Sequence, residues 1–318
     1  MAPHLQSAVI GESAFAQELR KRLQRIASVD VPVLLSGPTG VGKSYLARVI
    51  HSLSPRRQFP MITVNCAAIP PTLLESELFG HEKGAYTGAY RKVAGKFQAA
   101  HQGTLFLDEV VEMGTDMQAK LLTVLEEKKL TPLGSTEVIQ VDVRLIAATN
   151  KSIHHALAQG ELRADLYYRL NTFHIHITPL SERPEDIIPT IIYFKAQLEQ
   201  QYQRRLEITP AALEFLASLP WPGNLREIIH FLERLLISDV GKITPRVAEK
   251  FIENHIENGV LTVNKIVPLK QAVAAYIKEV VAMSNTKAEA ARLLEIDIKT
   301  LNKYLNHETA GTKKSGTQ

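Results

Sequence analysis

The sequence predicts an α/β fold: a parallel sheet flanked by helices, followed by an all-helical lid and a C-terminal helix-turn-helix. Three observations predict it. Short apolar runs alternate with segments of helical period, the pattern of a parallel sheet covered by helices. Between one such run and one such segment stand the eight residues Gly37-Pro38-Thr39-Gly40-Val41-Gly42-Lys43-Ser44. After Pro179 the strand signals stop and helical periodicity takes over.

The eight residues fit G-x-x-x-x-G-K-[ST], the phosphate-binding P-loop. The run Val31–Ser36 before them reads as a buried strand, and Ser44 to Ser52 as a helix with Leu46, Ala47, Val49 and Ile50 on its apolar face. Strand, glycine turn and helix aim backbone N–H groups and a helix N-terminus at an anion. Lys43 can then reach the β- and γ-phosphates of a nucleotide, and Ser44 can hold Mg²⁺.

With 318 residues the chain is long enough for two or three domains. A content of 45% hydrophobic and 22% charged residues is that of an ordinary globular protein and excludes a disordered one. The net charge of +4 is compatible with nucleic acid without requiring it. The single cysteine, Cys66, excludes an intramolecular disulfide and a cysteine-based metal cluster. The N-terminus lacks a signal-peptide pattern and no apolar run approaches the roughly 18 residues of a membrane span, so the expected compartment is the cytoplasm, with no membrane partner.

Taken in order, Ser13 to Ile26 has helical periodicity, and Val9–Glu12 before it is either a contact to a purine base or a plain turn. Met61–Asn65 is a strand that ends polar, at the edge where open α/β sheets bind ligands, so Asn65 is a site candidate or simply a strand end. Glu75 to Phe79 reads as a helix broken at Gly80. In Gly84-Ala85-Tyr86-Thr87-Gly88-Ala89 two glycines frame an aromatic ring and a hydroxyl, either presenting Tyr86 at a loop tip or forming an ordinary surface loop. Gly103–Glu109 is an apolar strand ending in two acids, the Walker B form. Asp108 can hold Mg²⁺ through water and Glu109 can polarise an attacking water. Gln118 to Glu127 is helical, and Val143–Asn150 is a further strand whose last residue, Asn150, can sense a γ-phosphate or orient water. Arg163 and Arg169 flank Asp165-Leu166-Tyr167-Tyr168, with surface ion pairs as their default role.

Residues 1–179 thus read as the α/β core and 180–256 as the lid. Within the lid, Thr209-Pro210 is a cap followed by a first-turn proline. Trp221-Pro222-Gly223-Asn224-Leu225-Arg226 is a turn that starts a helix, where Arg226 either points back to the nucleotide or is an exposed helix charge. Residues 257–267 read as a linker. Leu269 to Met283 is amphipathic, Thr286-Lys287-Ala288-Glu289 is a capping box opening a helix through Leu294, and Asp297 caps a helix from Ile298 to Leu305. Two short helices about a tight turn, over 268–307, predict a helix-turn-helix, with a three-helix dimerisation module as the alternative. Lys299, Thr300, Asn302 and Lys303 of the last helix suit phosphates and base edges. Residues 308–318 are polar and expected to be disordered.

Together these residues resemble the bacterial enhancer-binding proteins, the AAA+ activators of sigma-54 RNA polymerase. The resemblance covers nearly the whole chain. It rests on Glu75-Ser76-Glu77-Leu78-Phe79-Gly80-His81-Glu82, on Gly84–Ala89, on Thr104–Glu109, on Asp165-Leu166-Tyr167-Tyr168-Arg169-Leu170 and on Trp221-Pro222-Gly223-Asn224. The family's loop reads G-A-F-T-G-A. Here Tyr86 replaces the phenylalanine and keeps the ring. A second departure is Ser44, where the family often has an acid.

The resemblance implies an ATPase assembled as a homo-oligomeric ring, usually a hexamer, that binds upstream enhancer DNA through a Fis-type helix-turn-helix. It implies that Lys43, Ser44, Asp108 and Glu109 serve ATP and Mg²⁺, and that Asn65 holds Glu109 until the γ-phosphate changes state. Asn150 and Arg226 would be sensors, Arg163 and Arg169 arginine fingers acting on a neighbour's ATP, and Gly84–Ala89 the contact to sigma-54. With only a few residues before the core, the chain reads as a member lacking the N-terminal regulatory domain, controlled either by a separate regulatory protein or by its expression level. Two rival readings are an AAA+ unfoldase, opposed by Thr87-Gly88-Ala89 and the helix-turn-helix, and a DNA-binding regulator with a silent ATPase core, opposed by the intact acids Asp108 and Glu109.

Overall fold

The structure, a computed structural model, describes residues 9–238, 240–256, 273, 276–277, 280–281, 286–294 and 296–301. The chain divides into two compact units, Met1–Glu253 and Asn254–Gln318.

The first unit is built on a five-stranded sheet of β1 (Val33–Ser36), β2 (Met61–Asn65), β5 (Thr104–Asp108), β8 (Arg144–Thr149) and β9 (Phe173–His176), in the order β2-β5-β8-β1-β9. All pairings are parallel. Side chains alternate across the sheet, as the two-residue period of a strand requires. Leu34, Val64, Leu105, Leu107, Leu145 and Ala147 bury one face. Val33, Leu35, Phe106, Ile146, Ala148 and Ile175 bury the other. The register pairs Ser36 with Thr149 and Asn65 with Asp108, so these strands end level.

Helices α1 (Ala14–Ala27) and α2 (Lys43–Ser52) join the core on the Phe106 face, and Ser13 caps α1 by accepting from the Ala16 amide. Helix α3 (Pro71–Phe79) starts four residues before the predicted Glu75 because Pro71 stands in its first turn, where a missing N–H costs nothing. The chain then leaves as β3 (Gly80–His81) and returns antiparallel as β4 (Val93–Ala94), with Gly84–Ala89 on the excursion between them. After α4 (Lys96–Ala99) and β5 come α5 (Thr115–Glu127) and the antiparallel pair β6 (Lys129–Leu130) and β7 (Ile139–Gln140). Helices α6 (Ile153–Ala158) and α7 (Ala164–Leu170) separate β8 from β9.

The following segment holds α8 (Ile187–Tyr202), α9 (Pro210–Ala217), α10 (Asn224–Ile237) and α11 (Pro245–Ile256) around a core of their own. The Trp221 ring meets Phe231 edge-on at 5.6 Å, and its indole N–H donates to the Leu216 carbonyl at 2.8 Å. The segment is helical apart from one detail that the sequence pattern does not register. β10 (Glu207–Ile208) and β11 (Lys242–Ile243) pair in parallel over two residues, too short a run to show a two-residue period.

In the second unit Val273, Tyr276, Ile277, Val280 and Val281 are helical, α12 spans Lys287–Leu293, and residues 298–301 are helical. Thr286 accepts from the Glu289 amide. Asp297 accepts from the Thr300 amide at 2.8 Å and from the Thr300 hydroxyl at 2.7 Å. The Thr300 hydroxyl, expected to face DNA, is therefore engaged in capping its own helix. Lys299 is exposed. Asn302, Lys303, the linker 257–267 and the tail 308–318 lie outside the described residues.

Phe106 lies in β5, between β2 and β8, and is 1% exposed. Phe106→Ala should lower the unfolding free energy of the first unit by about 3–5 kcal/mol, through lost transfer and a residual cavity. The urea midpoint measured by circular dichroism checks it.

Candidate nucleotide-hydrolysis site

The level strand ends open into a cleft of about 670 Å³, within the size range of small-molecule sites. The P-loop, Asn65, Asp108, Glu109, Asn150 and Arg226 all line it. Residues scattered over nearly 190 positions are brought together because each follows a strand or begins a helix at the same sheet edge.

Lys43 is only 7% exposed. Its Nζ donates to the carbonyls of Gly37 at 2.8 Å and Pro38 at 3.3 Å, and lies 3.7 Å from Glu109 Oε1. Burial lowers its pKa below the usual lysine value, Glu109 and Asp108 oppose that shift, and Arg226 adds to it. Ser44 Oγ donates to Asp108 Oδ2 at 3.0 Å. The other oxygen, Asp108 Oδ1, is buried and has no hydrogen-bond partner among the described residues. A hydroxyl and a carboxylate with a free oxygen form the hard-oxygen donor set that Mg²⁺ takes, so these residues fit that ion.

Glu109 follows β5 in the left-handed region, with φ 54°. Its Oε2 accepts from the Asn150 backbone amide at 2.8 Å. The Asn150 side chain donates to Thr39 Oγ1 at 3.4 Å. Among the described residues Asn65 and Glu109 share no hydrogen bond. Asn65 Oδ1 turns back to accept from the Ala67 amide at 3.0 Å, and the Glu109 carboxylate goes to β8 and Lys43.

The two candidate finger arginines stand apart from the cleft of their own chain. Arg163 precedes α7 and makes a two-pronged contact to Asp165, at 3.1 and 2.7 Å. Arg169, in the last turn of α7, donates to the Leu125 carbonyl at 3.1 Å. Cys66 follows Asn65 but is buried, and burial, followed by the charges of Asp108 and Glu109, pushes its thiol up to about 12. Such a thiol is no nucleophile.

Asn224 is a site residue whose role the sequence pattern does not signal. It is 1% exposed with φ 54°, a backbone region that asparagine tolerates best after glycine. Its Nδ2 donates to the Thr39 carbonyl at 3.1 Å, while its Oδ1 accepts from the Leu180 amide at 2.8 Å. The turn before α10 thus sits directly on the P-loop. Gly40 has φ +81°, and a Cβ there would collide with the Gly223 carbonyl.

The Gly84–Ala89 loop lines no part of the cleft. The Gly84 amide donates to the Ala89 carbonyl at 2.8 Å, and the Ala89 amide to the Tyr86 carbonyl at 3.0 Å. The Tyr86 ring, 38% exposed, meets His81 edge-on at 5.1 Å. Glu82 and Leu133 link the base of the loop to the β6–β7 connection, the Glu82 amide donating to the Leu133 carbonyl at 2.9 Å. Tyr90, just past the loop, is 87% exposed. Among the described residues no helix is long and apolar enough to cross a membrane, and no group of three or more His, Cys, Asp or Glu side chains could hold a metal ion.

Lys43→Ala should abolish ATP binding, and Glu109→Gln should bind ATP while losing at least about a hundredfold in hydrolysis, the scale of a missing general base. Equilibrium binding of a fluorescent nucleotide and phosphate release on the same preparations check both.

Comparison with known proteins gives the geometry its context. Residues 9–176 match the sigma-54 interaction domain and residues 181–259 the AAA+ ATPase lid domain. The chain is 49% identical over 226 residues to the phenol regulator MopR of Acinetobacter guillouiae, covering 71% of this chain and 40% of that protein. It is 47% identical to a Nif-specific regulatory protein of Sinorhizobium fredii, covering 71% and 38%. It therefore spans about two fifths of the length of these curated relatives. Among solved structures, NtrX of Brucella abortus in complex with ATP superposes with a TM-score of 0.70 at 30% identity, covering 94% of this chain and 68% of that one. The matched domain is more than half of the sequence, and the chain belongs to the sigma-54 activator family of AAA+ ATPases.

Proposed function

We propose that this chain uses ATP hydrolysis to remodel the sigma-54 RNA polymerase closed complex into an open one, from a ring bound to upstream enhancer DNA. The observation that carries the reading is the separation of two parts in one unit. The hydrolytic residues line a cleft at the sheet edge, while Gly84–Ala89 is a self-bonded loop that contributes nothing to that cleft. A loop with that construction is free to do work on a partner.

In the cleft, Lys43 would exchange its contacts with the Gly37 and Pro38 carbonyls for β- and γ-phosphate oxygens. Ser44 and Asp108 would hold Mg²⁺, which when bound offsets charge on the phosphate oxygens. Glu109 would orient the attacking water, and Asn150, bonded to Glu109 through its backbone and to Thr39 through its side chain, would respond to the γ-phosphate. Asn65 would take up Glu109 in another nucleotide state. Arg226, at the start of α10 and on the cleft wall, would report phosphate occupancy to the lid. Arg163 and Arg169, exposed and away from their own cleft, suit a trans role against a neighbour's ATP, which requires a ring, a hexamer by family resemblance. Tyr86 and Thr87 would touch sigma-54. The second unit would bind DNA as a helix-turn-helix, with Lys299 on phosphate.

Two experiments test this. Thr87→Ala should leave phosphate release within a few-fold of the parent but abolish open-complex formation on a sigma-54 promoter. Tyr86→Ala should behave likewise, and Tyr86→Phe should be nearly silent, since the ring surface is kept. Promoter opening by Thr87→Ala would remove the loop from the coupling step. Separately, mixing Arg169→Ala with Lys43→Ala subunits should restore part of the hydrolysis that each lacks alone. No recovery in rings shown to be mixed would place the active site within one subunit.

A further inference from the structure

The segment Val9–Ser13 runs in front of α1, and Val9 and Ile10 line the nucleotide cleft. Tyr193 and Ile229 of α8 and α10 line the same cleft. These four side chains are apolar or aromatic, so they suit the base end of a nucleotide.

Two charged side chains hold the segment from opposite sides. Arg20 of α1 takes its carbonyls: Nε and Nη2 donate to the Val9 carbonyl at 3.2 and 2.8 Å, and Nη2 also donates to the Gly11 carbonyl. Asp186, immediately before α8, takes its amides. One carboxylate oxygen accepts from the Glu12 and Ser13 amides, both at 2.9 Å, and the other from the Ser13 hydroxyl at 2.6 Å. Asp186 is 0% exposed, and Arg183 Nη1 lies 3.6 Å from it. Gly11 has φ +113°, and a Cβ there would collide with the Asp186 carboxylate, so the strap lies against it as closely as backbone can. Arg183 itself is buried, sits over the Phe15 ring at 4.8 Å and lines the cleft. Its Nε–H has no acceptor among the described residues.

A fully buried carboxylate is expensive to desolvate, and hydrogen-bonding it to backbone amides some 173 residues away in sequence is a specific arrangement. We propose that Asp186 is a positioning residue for the base end of the nucleotide: by fastening the Val9–Ser13 strap to the first turn of the lid, it sets the slot that receives the base. The inference rests on nucleotide binding in this cleft. Phosphates are held by the P-loop, which Asp186 does not touch, so loosening the strap should weaken ligands that carry a base and spare those that do not.

The test uses the full chain with two probes, ADP by calorimetry and inorganic tripolyphosphate as a competitive inhibitor of ATP hydrolysis. Asp186→Asn should raise the Kd for ADP about tenfold, the scale of one charge-assisted hydrogen bond. The tripolyphosphate inhibition constant should stay within about twofold, and kcat at saturating ATP within about threefold. Ser13→Ala removes the hydroxyl that donates to Asp186 and also caps α1. It should weaken ADP by a smaller factor with the same selectivity, and it carries the test alone if the asparagine variant does not fold. Equal weakening of both probes would make Asp186 a purely structural residue and overturn the proposal, as would unchanged ADP affinity in both variants. A parent protein that does not bind ADP would overturn the nucleotide reading itself, a result distinct from either.

Discussion

The register of four parallel strands, whose two level pairs are offset by one residue, is the constraint from which the rest of the cleft follows. Pairing Ser36 with Thr149 and Asn65 with Asp108 fixes the heights at which four chains leave the sheet. Slipping β5 by one residue would exchange Phe106 for Leu105 or Leu107 between the two cores and turn Asp108 to the opposite face. The buried apolar rows that determine the register therefore also place Ser44 Oγ within hydrogen-bond reach of Asp108 and the Asn150 amide within reach of Glu109. Core packing and catalytic geometry are one constraint here.

The lid is joined to this edge by polar contacts. Asn224 reaches the Thr39 carbonyl of the P-loop, and Asp186 holds the strap beside the cleft. Both side chains are buried and satisfied by backbone groups, which makes the contacts specific in direction. Such contacts have discrete arrangements, made or broken, and differ in this from the gradual yielding of an apolar surface. The helical segment is anchored this way to the P-loop on one side and to the Val9–Ser13 strap on the other, at two separate points of the cleft rim.

Much of this was legible in the chain. The P-loop and the Asp108-Glu109 strand end are local patterns whose chemistry requires those residue types in that order, and alternation on either side of them gave the strands. What was not legible depends on long-range pairing. Asp186 reads as one of two acids in Arg183-Pro184-Glu185-Asp186, and only the folded chain brings Ser13 to it. The positive φ of Asn224 and its hold on Thr39 are likewise tertiary facts. The local bond of Asn65, whose side-chain oxygen accepts from the Ala67 amide, is also not signalled by the strand pattern, which marks only a polar residue at a strand end. The short β10–β11 ladder was invisible because two residues cannot display a period.

Cys66 has a consequence of another kind. It is the single cysteine of this sequence, and it sits at the end of β2 with its amide bonded to the Asp108 carbonyl at 2.9 Å. With its thiol pushed up to about 12, it stays protonated and shielded at any physiological pH. Oxidants, alkylating agents and soft metals act on thiolates, and the folded unit offers them none. Burial, with the charges of Asp108 and Glu109 adding to it, thus holds this sulfur in its unreactive form.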